Sequence, residues 1–179
     1  MLKAVLFDLD NTLVDRDRAF RAVVNSLAPS RQAELLALDR GGYGSVLEAL
    51  NIDQETLGQM LASHIHPDPA LLEALNGLGM PLGIVSNGGC GTQWRKFRAA
   101  GLEAAIRPQY VVISADVCLE KPDPAIFHLA AAKLGVASQD CLFIGDQESI
   151  DGVGARAAGM RFQLTVGALS GPALREFFR

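Results

Sequence analysis

Five short apolar runs constrain the fold of this chain more than any other feature. They span residues 4–10, 82–87, 110–116, 141–146 and 161–166. Their apolar residues follow one another almost continuously, which is typical of strands covered on both faces, as in a parallel sheet. Helical patterns lie between most of these runs, so strand and helix alternate along the chain. We therefore predict an α/β fold with a doubly wound, mainly parallel five-stranded sheet.

One long stretch after the first run interrupts this alternation. Residues 15–66 contain no convincing strand, and apolar residues recur there at helical spacing. Helices are predicted over 15–28, 30–39 and 53–65, with a flexible glycine-containing break at 39–45. Residues before proline disfavour helix, so the prolines of 66–69 return the chain to the sheet. We predict an α/β core of residues 1–14 and 67–179, with a small all-helical cap of residues 15–66.

Size and charge exclude several classes of function. The chain has 179 residues and a net charge of −4, which suits one domain with a small accessory lobe. It has no Lys/Arg run, which argues against nucleic acid or an anionic membrane surface as the main partner. The sequence says nothing about oligomeric state.

The apolar runs and the cysteines predict a cytoplasmic protein. The first run reaches Asp8 too soon for a signal-peptide core or a membrane span, and no later run is longer. Cys90, Cys118 and Cys141 are odd in number and lack CxxC spacing, which favours reduced thiols.

Polar residues end four of the five predicted strands. These residues are Asp8 and Asp10, Ser86 and Asn87, Ser114 and Asp116, and Asp146. A single acid at a strand end is commonly a helix cap, but four polar ends and a paired DxD need a further reason. Because the carboxyl ends of parallel strands meet at one edge of an open sheet, where ligands bind, we expect these groups to form one site.

The acids of this site require a cation or protonation. Two carboxylates about 4 Å apart repel by roughly 4 kcal/mol at an effective dielectric near 20. Asp8 and Asp10 lie two residues apart, and Asp146 and Asp151 add to the negative charge. Oxygen ligands with room for water favour Mg²⁺ over Zn²⁺.

Other residues at the same edge supply a seat for phosphate. Lys121 adds a positive charge, and Ser86, Asn87 and the following glycine amides offer hydrogen-bond donors at a strand–helix turn. A carboxylate there can attack phosphorus to give an aspartyl phosphate, while metal and lysine stabilise the transferring group. The second carboxylate can protonate the leaving oxygen and later deprotonate water.

Four motifs carry a resemblance to the haloacid dehalogenase-like superfamily. They are "DLDNT" (8–12), "SNG" (86–88), "KPDPAIF" (121–127) and "GDQESID" (145–151), in that order along the chain. The chain resembles the phosphatase side of that superfamily, with its Rossmann-like core and a short version of its helical cap. Each motif alone is weak evidence, whereas four in order at strand ends are specific.

The resemblance assigns roles to the catalytic and phosphate-binding residues. It implies Asp8 as nucleophile and Asp10 as general acid/base. Ser86 and Asn87 would bind phosphate, and Lys121 would neutralise the charge of the phosphoryl group.

The resemblance also implies a Mg²⁺ site. Its ligands would be the side chain of Asp8, the carbonyl of Asp10, Asp146 and, directly or through a partner, Asp151. Ile150 stands where the family usually has Asn, which weakens the assignment of Asp151.

These residues predict a Mg²⁺-dependent phosphomonoester hydrolase acting on a small cytosolic metabolite. A sugar phosphate, a phosphoglycolate-like acid and a nucleoside monophosphate all remain open as substrates. The alternatives are a phosphomutase, a dehalogenase that attacks carbon, a receiver-like phosphoacceptor and an inactive binding protein. Asp10 argues against the dehalogenase, and the short cap argues against the mutase.

We also make predictions for several residues that lie outside the four motifs. Arg16, Arg18 and Arg21 are expected on a solvated helix face, and Trp94 in packing. Asp116 is left out of the site as a loop acid that caps or orients Lys121, whereas Arg40 and Tyr43 could reach the substrate. His64 and His66 lack a third ligand for a zinc site.

Overall fold

A five-stranded parallel sheet forms the centre of the molecule. The computed structural model describes residues 1–39 and 43–179. The strands are β1 (Ala4–Phe7), β2 (Leu82–Ser86), β3 (Val111–Ile113), β4 (Cys141–Gly145) and β5 (Arg161–Leu164). Their order is β3-β2-β1-β4-β5 and every pairing is parallel. The predicted doubly wound α/β sheet is therefore confirmed.

The strand order places a crevice at the carboxyl end of β1. From β1 the chain builds outward through β2 and β3, then returns to add β4 on the other side of β1. Val5 is paired with both Leu82 of β2 and Leu142 of β4, so β1 is the central strand. Ligands bind at such a switch point in open α/β sheets. Asp8 and Asp146, the residues that follow β1 and β4, are thereby brought together.

Helices alone follow β1 over the described part of the insertion. They are α1 (Arg16–Leu27), α2 (Gln32–Asp39), α3 (Tyr43–Leu50) and α4 (Gln54–Ser63), with a 3₁₀ turn at Pro29–Arg31. Asp15 and Asp53 begin α1 and α4 by accepting hydrogen bonds from the amides of Arg18 and Thr56. Such N-caps satisfy a backbone donor that the helix cannot pair.

The helix α3 is an element that the sequence prediction missed. The break predicted over 39–45 ends at Tyr43, where this helix begins. Val46 is fully buried in the main hydrophobic cluster, and Leu47 packs against that cluster. Tertiary burial of these side chains therefore outweighs the low helix propensity of Gly44.

Six more helices complete the fold around the sheet. They are α5 (Pro69–Gly77), α6 (Cys90–Ala99), α7 (Ser114–Val117), α8 (Pro124–Lys133), α9 (Val153–Ala157) and α10 (Gly171–Phe177). A π-helical turn, Glu148–Gly152, precedes α9. The predicted strand 110–116 is shorter than expected, because Ser114 already begins α7. Within the described residues, no helix combines the length and apolar character needed to cross a bilayer.

The helical insertion shares one hydrophobic core with a face of the sheet. Phe20, Leu57 and Leu61 of the insertion belong to the same buried cluster as Phe7 and Phe97. A second cluster, which contains Phe127 of α8 and Phe143 of β4, covers the opposite face. The insertion therefore packs as part of the molecule's main core, and the predicted boundaries of the cap, 15–66, stay a prediction.

Candidate active site

A buried lysine joins two of the predicted acids at the carboxyl edge of the sheet. The Lys121 ammonium donates to Asp8 Oδ1 and to Asp151 Oδ1, at 2.7 Å each. All three side chains are buried. Charged groups this deep are stable only when they are paired and hydrogen-bonded, so the three hold one another in place.

Asp8 takes its position from the central strand. It is the first residue after β1, and its amide donates to the carbonyl of Ile144 on β4 at 2.9 Å. This bond extends the pairing of β1 and β4 by one step. The Asp8 carboxylate therefore lies beside the end of β4, from which Asp146 follows.

Asp151 reaches the site through the π-helical turn. Its Oδ2 accepts from the Gln147 amide at 3.1 Å, and its own amide donates to the Gln147 carbonyl at 2.7 Å. Gly145 leaves room for this arrangement, because a Cβ at that position would lie 2.3 Å from Asp151 Oδ2. A side chain at residue 145 would therefore displace the Asp151 carboxylate.

Three carboxylates form a site that fits a divalent cation. Oxygens of Asp8, Asp146 and Asp151 all lie within 4.8 Å of one another. Asp146 Oδ1 is buried and has no hydrogen-bond partner among the described residues. A buried carboxylate oxygen near two other acids needs a positively charged partner or a hydrogen-bond donor. A hard cation, which prefers oxygen ligands, would be such a partner. The donor set thus suits Mg²⁺.

Two acids of this cluster, Asp8 and Asp146, hold protons more tightly than ordinary carboxyls. Burial raises the pKa of Asp8 to about 6, with Asp151 adding to the rise and Lys121 opposing it. Burial, together with the neighbouring Asp8 and Asp151, raises the pKa of Asp146 to about 7. Burial lowers the pKa of Lys121, but the attraction of Asp8 and Asp151 is larger, so that pKa ends above its usual value. In the metal-free protein, the protons on Asp8 and Asp146 and the positive charge of Lys121 together reduce the repulsion between the carboxylates.

Ser86 lies at the end of β2 with its hydroxyl oriented by a glutamine. Its Oγ accepts from Gln93 Nε2 at 2.8 Å. Because that bond occupies a lone pair, the hydroxyl hydrogen of Ser86 remains able to donate to a phosphate oxygen.

Asn87 and Gly88 are engaged with neighbouring segments. The Asn87 side chain makes two bonds to the backbone of Lys121: Nδ2 donates to its carbonyl at 2.9 Å and Oδ1 accepts from its amide at 2.8 Å. The amide of Gly88, expected as a phosphate donor, donates to Ser114 Oγ at 3.0 Å. Asn87 therefore sets the position of the lysine segment.

Asp10 has two partners that the sequence analysis did not identify. Lys96 Nζ donates to Asp10 Oδ1 and Oδ2 at 2.6 and 2.5 Å, and Gln93 Nε2 donates to Oδ2 at 3.1 Å. Burial favours the neutral acid, but Lys96 and Gln93 outweigh it and hold the pKa of Asp10 below its usual range. Gln93 and Lys96 lie three apart on α6, a spacing that places both on one helical face. The sequence analysis assigned no role to either residue.

A cavity of about 450 Å³ opens over these residues. Its lining includes Asp8, Asp10, Ser86, Asn87, Lys121, Arg16, Phe20, Arg21, Leu36 and Asp39. Core and insertion therefore both contribute to the walls. Four predicted site residues from the ends of β1 and β2, together with Lys121, line this one cavity.

Arg16 corrects the prediction of a solvated helix face. It is buried, its guanidinium makes two hydrogen bonds to the Asp39 carboxylate, and it lies 4.8 Å from the centre of the Phe20 ring. The planar guanidinium matches a carboxylate in this forked geometry. Arg16 and Asp39 thus tie the beginning of α1 to the end of α2 in the cavity wall, while Arg18 and Arg21 are exposed as expected.

The predictions for three other residues have different outcomes. Asp116 accepts from Trp94 Nε1 at 3.1 Å, a partner that the sequence did not indicate. The Lys121 ammonium is oriented by Asp8 and Asp151. Arg40 and the Tyr43 side chain lie outside the described residues, and their predicted contact with substrate stays a prediction.

Comparison with known proteins decides the family. The sequence model described as haloacid dehalogenase-like hydrolase matches residues 46–159. The chain belongs to the haloacid dehalogenase-like hydrolases. The recognition made from the four motifs is thereby confirmed, as is the prediction that the protein is an enzyme of the phosphatase type.

Two curated relatives illustrate the similarity to known enzymes. A glyceraldehyde 3-phosphate phosphatase from Methanopyrus kandleri is 30% identical, over 89% of this chain and 82% of its own. A phosphoglycolate phosphatase from Xanthomonas campestris is 29% identical, over 88% of this chain and 80% of its own. These similarities extend across both the sheet and the helical insertion.

A solved structure shows the same fold. The crystal structure of a haloacid dehalogenase-like family hydrolase from Deinococcus radiodurans, determined with bound phosphate and sodium, has a TM-score of 0.69 to this chain. It is 26% identical, and the match covers 98% of this chain and 87% of that one.

Proposed function

We propose that the protein is a Mg²⁺-dependent phosphomonoester hydrolase that forms an aspartyl phosphate on Asp8. The observation that carries this proposal is the buried Lys121 ammonium, shared by Asp8 and Asp151 beside an unpartnered oxygen of Asp146. Asp8 and Lys121 line one cavity, and the acid cluster that Asp8 forms with Asp146 and Asp151 adds a cation site to this nucleophile and positive charge. That combination suits transfer of a phosphoryl group to a carboxylate.

The first step uses residues that already line the cavity. A carboxylate oxygen of Asp8 attacks phosphorus and the bond to the ester oxygen breaks, which leaves the phosphoryl group on Asp8. Lys121 and the hydroxyl of Ser86 would bind the phosphoryl oxygens, whose charge they stabilise. Mg²⁺, held by Asp8, Asp146 and Asp151 with the carbonyl of Asp10, would neutralise further charge on the phosphoryl group.

Asp10 would move the protons of both steps. It lines the same cavity as Asp8. Lys96 favours the ionised carboxylate of Asp10, but the negative charge of a bound phosphate ester would raise the pKa of Asp10, so that its carboxyl group could take up a proton and deliver it to the departing ester oxygen. The carboxylate formed in this way would then accept a proton from water as the water attacks phosphorus. Hydrolysis of the aspartyl phosphate releases phosphate and restores Asp8.

The substrate proposed for this site is a small phosphorylated metabolite. A cavity of about 450 Å³ accommodates a compact molecule, within the usual range of roughly 300–1,000 Å³ for ligand pockets. The curated relatives are phosphatases of glyceraldehyde 3-phosphate and phosphoglycolate, both small acids or aldehydes with one phosphate. A cytoplasmic location, predicted from the sequence, stays part of this proposal.

Turnover of p-nitrophenyl phosphate with and without Mg²⁺ tests the proposal. We expect Mg²⁺-dependent release of phosphate, and loss of that activity in Asp8→Asn because an amide is a poor nucleophile. Asp140→Asn is the matched control, since Asp140 pairs with Lys3 at the amino end of β4, away from the cavity. Near-normal turnover by Asp8→Asn would falsify the assignment of the nucleophile.

A panel of substrates separates the hydrolase from the alternatives. Phosphorylated two- and three-carbon acids and aldehydes, sugar phosphates and nucleoside monophosphates identify the preferred ester. Halide release from a 2-halo acid would indicate a dehalogenase, and transfer of phosphate between sugar positions would indicate a mutase. A stable labelled protein without turnover would indicate a phosphoacceptor.

A further inference from the structure

A second buried lysine lies on the other side of the DxD pair. Lys96 of α6 is fully buried, and its ammonium donates to both carboxylate oxygens of Asp10. Asp8 and Asp10 are thus held by different lysines, since Lys121 donates to Asp8. A fully buried lysine is rare in proteins unless it is paired, and breaking such a pair is strongly destabilising.

Gln93 connects this pair to the phosphate-binding side of the cavity. Its Nε2 lies 3.1 Å from Asp10 Oδ2, 2.8 Å from Ser86 Oγ and 2.7 Å from the Asn87 carbonyl. The glycine at position 88 makes space for it, because a Cβ there would lie 2.9 Å from Gln93 Nε2. The side-chain nitrogen of Gln93 therefore links the Asp10 carboxyl group to the Ser86 hydroxyl.

The helix that carries both residues is itself firmly placed. Gly58 of α4 faces Thr92 of α6 so closely that a Cβ on Gly58 would lie 2.8 Å from Thr92 Oγ1. Phe97 of α6 is fully buried in the main cluster. Gln93 and Lys96 therefore project from a helix whose position is determined by packing against α4 and within the main hydrophobic cluster.

We propose that Lys96 and Gln93 are positioning residues that hold the Asp10 carboxyl group at a fixed place in the cavity, where it exchanges protons with the ester oxygen and with water. The proposal rests on the proposed function, because it takes from it the role of Asp10. Lys96 acts through Asp10 and touches neither substrate nor metal. With both oxygens of Asp10 bonded to Lys96, rotation of the carboxyl group away from the cavity would leave the ammonium buried and unpaired.

The dependence of kcat/KM on the leaving group of the ester shows whether Lys96 positions a general acid or has a purely structural role. An alkyl phosphate such as β-glycerophosphate needs a proton on its departing oxygen, whereas p-nitrophenolate leaves without one. We expect Lys96→Met to lower kcat/KM for the alkyl ester by about 100-fold, the lower end of the range for general acid–base catalysis. For p-nitrophenyl phosphate we expect a loss of less than about fivefold. Equal losses for the two esters would overturn the proposal.

A double-mutant cycle provides a second test, in which the double variant avoids the folding risk of the single ones. Asp10→Asn combined with Lys96→Met removes both charges together, so neither group is left unpaired in the interior. If Lys96 acts through Asp10, the double variant should have the same kcat/KM as Asp10→Asn within about threefold, since residues that act as a unit are not additive. A further loss as large as that of Lys96→Met alone would contradict the proposal.

Two controls complete the experiment. Arg98→Met removes a cation from the exposed side of the same helix, where Arg98 lies 3.8 Å from Glu103, and should leave both esters unaffected. Crystal structures of the wild-type protein and of Lys96→Met should show the Asp10 carboxyl group held in the first and displaced in the second. A wild-type structure with Lys96 more than about 4 Å from both Asp10 oxygens, beyond ion-pair distance, would also overturn the proposal.

The crystal structures distinguish a failure of this inference from a failure of the proposed function. If the wild-type protein hydrolyses no phosphate ester with Mg²⁺, the proposed function fails. The position of Asp10 in the two structures then still decides whether Lys96 holds it. If the wild type is active and the leaving-group difference is absent, only the inference about Lys96 and Gln93 fails.

Discussion

Asp8, Lys121 and Asp146 show how burial changes the chemistry of single residues. The same desolvation that keeps a proton on Asp146 raises the pKa of Asp8, while the lysine ammonium partly reverses that rise. Each carboxyl is therefore poised between protonation and ligation of a cation. A cation that binds this site must displace protons, so metal affinity and pH are linked.

Stability of the metal-free protein should fall as pH rises from about 5 to 8. Asp8 and Asp146 have pKa values of about 6 and about 7 in the folded protein, against an ordinary value of 3.8 for an aspartic acid. Between these values the folded state binds more protons than the unfolded state, so raising the pH favours unfolding. Mg²⁺ should reverse the trend, because it binds the ionised acids.

Thermal unfolding at several pH values, with EDTA or with Mg²⁺, measures this effect. The gain in Tm on adding Mg²⁺ should be larger at pH 8 than at pH 5.5. Asp146→Asn should reduce both the loss of Tm with pH in EDTA and the gain from Mg²⁺. A gain that is equal at the two pH values would contradict the link between proton loss and metal binding.

At the scale of secondary-structure elements, the segments that follow β2 and β4 determine the geometry of the site more than the strands do. The π-helical turn Glu148–Gly152 returns Asp151 to the end of β4. The helix α6 after β2 brings Gln93 and Lys96 to Ser86 and Asp10. In both cases a residue several positions along the chain completes a site that begins at a strand end.

Gly145→Ala should weaken Mg²⁺ binding while leaving the protein folded. The new Cβ would meet Asp151 Oδ2 at 2.3 Å, and the carboxylate would have to move. Isothermal titration with Mg²⁺ should show at least a tenfold loss of affinity, the lower end for disturbed partners of a metal site. Circular dichroism should remain that of the wild type.

Gly77→Ala is the matched control for this substitution. Gly77 ends α5 and a Cβ there meets no atom within 4 Å. Alanine at a helical position without crowding should stabilise the protein by about 0.4–1 kcal/mol and leave Mg²⁺ binding unchanged. Unaltered Mg²⁺ affinity in Gly145→Ala would remove Asp151 from the metal site.

For the whole molecule, the shared core implies that insertion and sheet unfold together. Leu57 and Leu61 of α4 are buried in the same cluster as Phe7 of β1 and Phe97 of α6. A lobe with a core of its own could open independently, as loosely joined domains do. This insertion has much of its apolar surface covered by the sheet and α6.

Leu61→Ala should therefore destabilise the entire protein. We expect a loss of about 2–5 kcal/mol in the free energy of unfolding, the usual cost of truncating a fully buried leucine. Urea unfolding followed by the fluorescence of Trp94 on α6 and by circular dichroism should give one coincident transition. Leu27→Ala is the control, because Leu27 is exposed at the end of α1 and should cost less than about 1 kcal/mol. Two separate transitions would show that the insertion unfolds on its own.

The local pattern of the sequence determined the sheet and the residues nearest the strand ends. Continuous apolar runs can be buried on both faces only in a parallel sheet with helices on each side, and parallel strands align their carboxyl ends. Asp8 and Asp146 directly follow β1 and β4, and Ser86 is the last residue of β2, so their convergence was predictable from the runs themselves. Lys121, which follows no strand, was placed by the motif around it.

Only the tertiary structure decided the partners that come from helix faces. Lys96 and Arg16 have no local sign of burial, because a cation on an amphipathic helix is usually solvated. Each is buried since a carboxylate from a distant segment, Asp10 or Asp39, meets it in the folded chain. Whether a charge is buried depends on the elements packed over it, and neighbouring residues in the sequence carry no record of that packing.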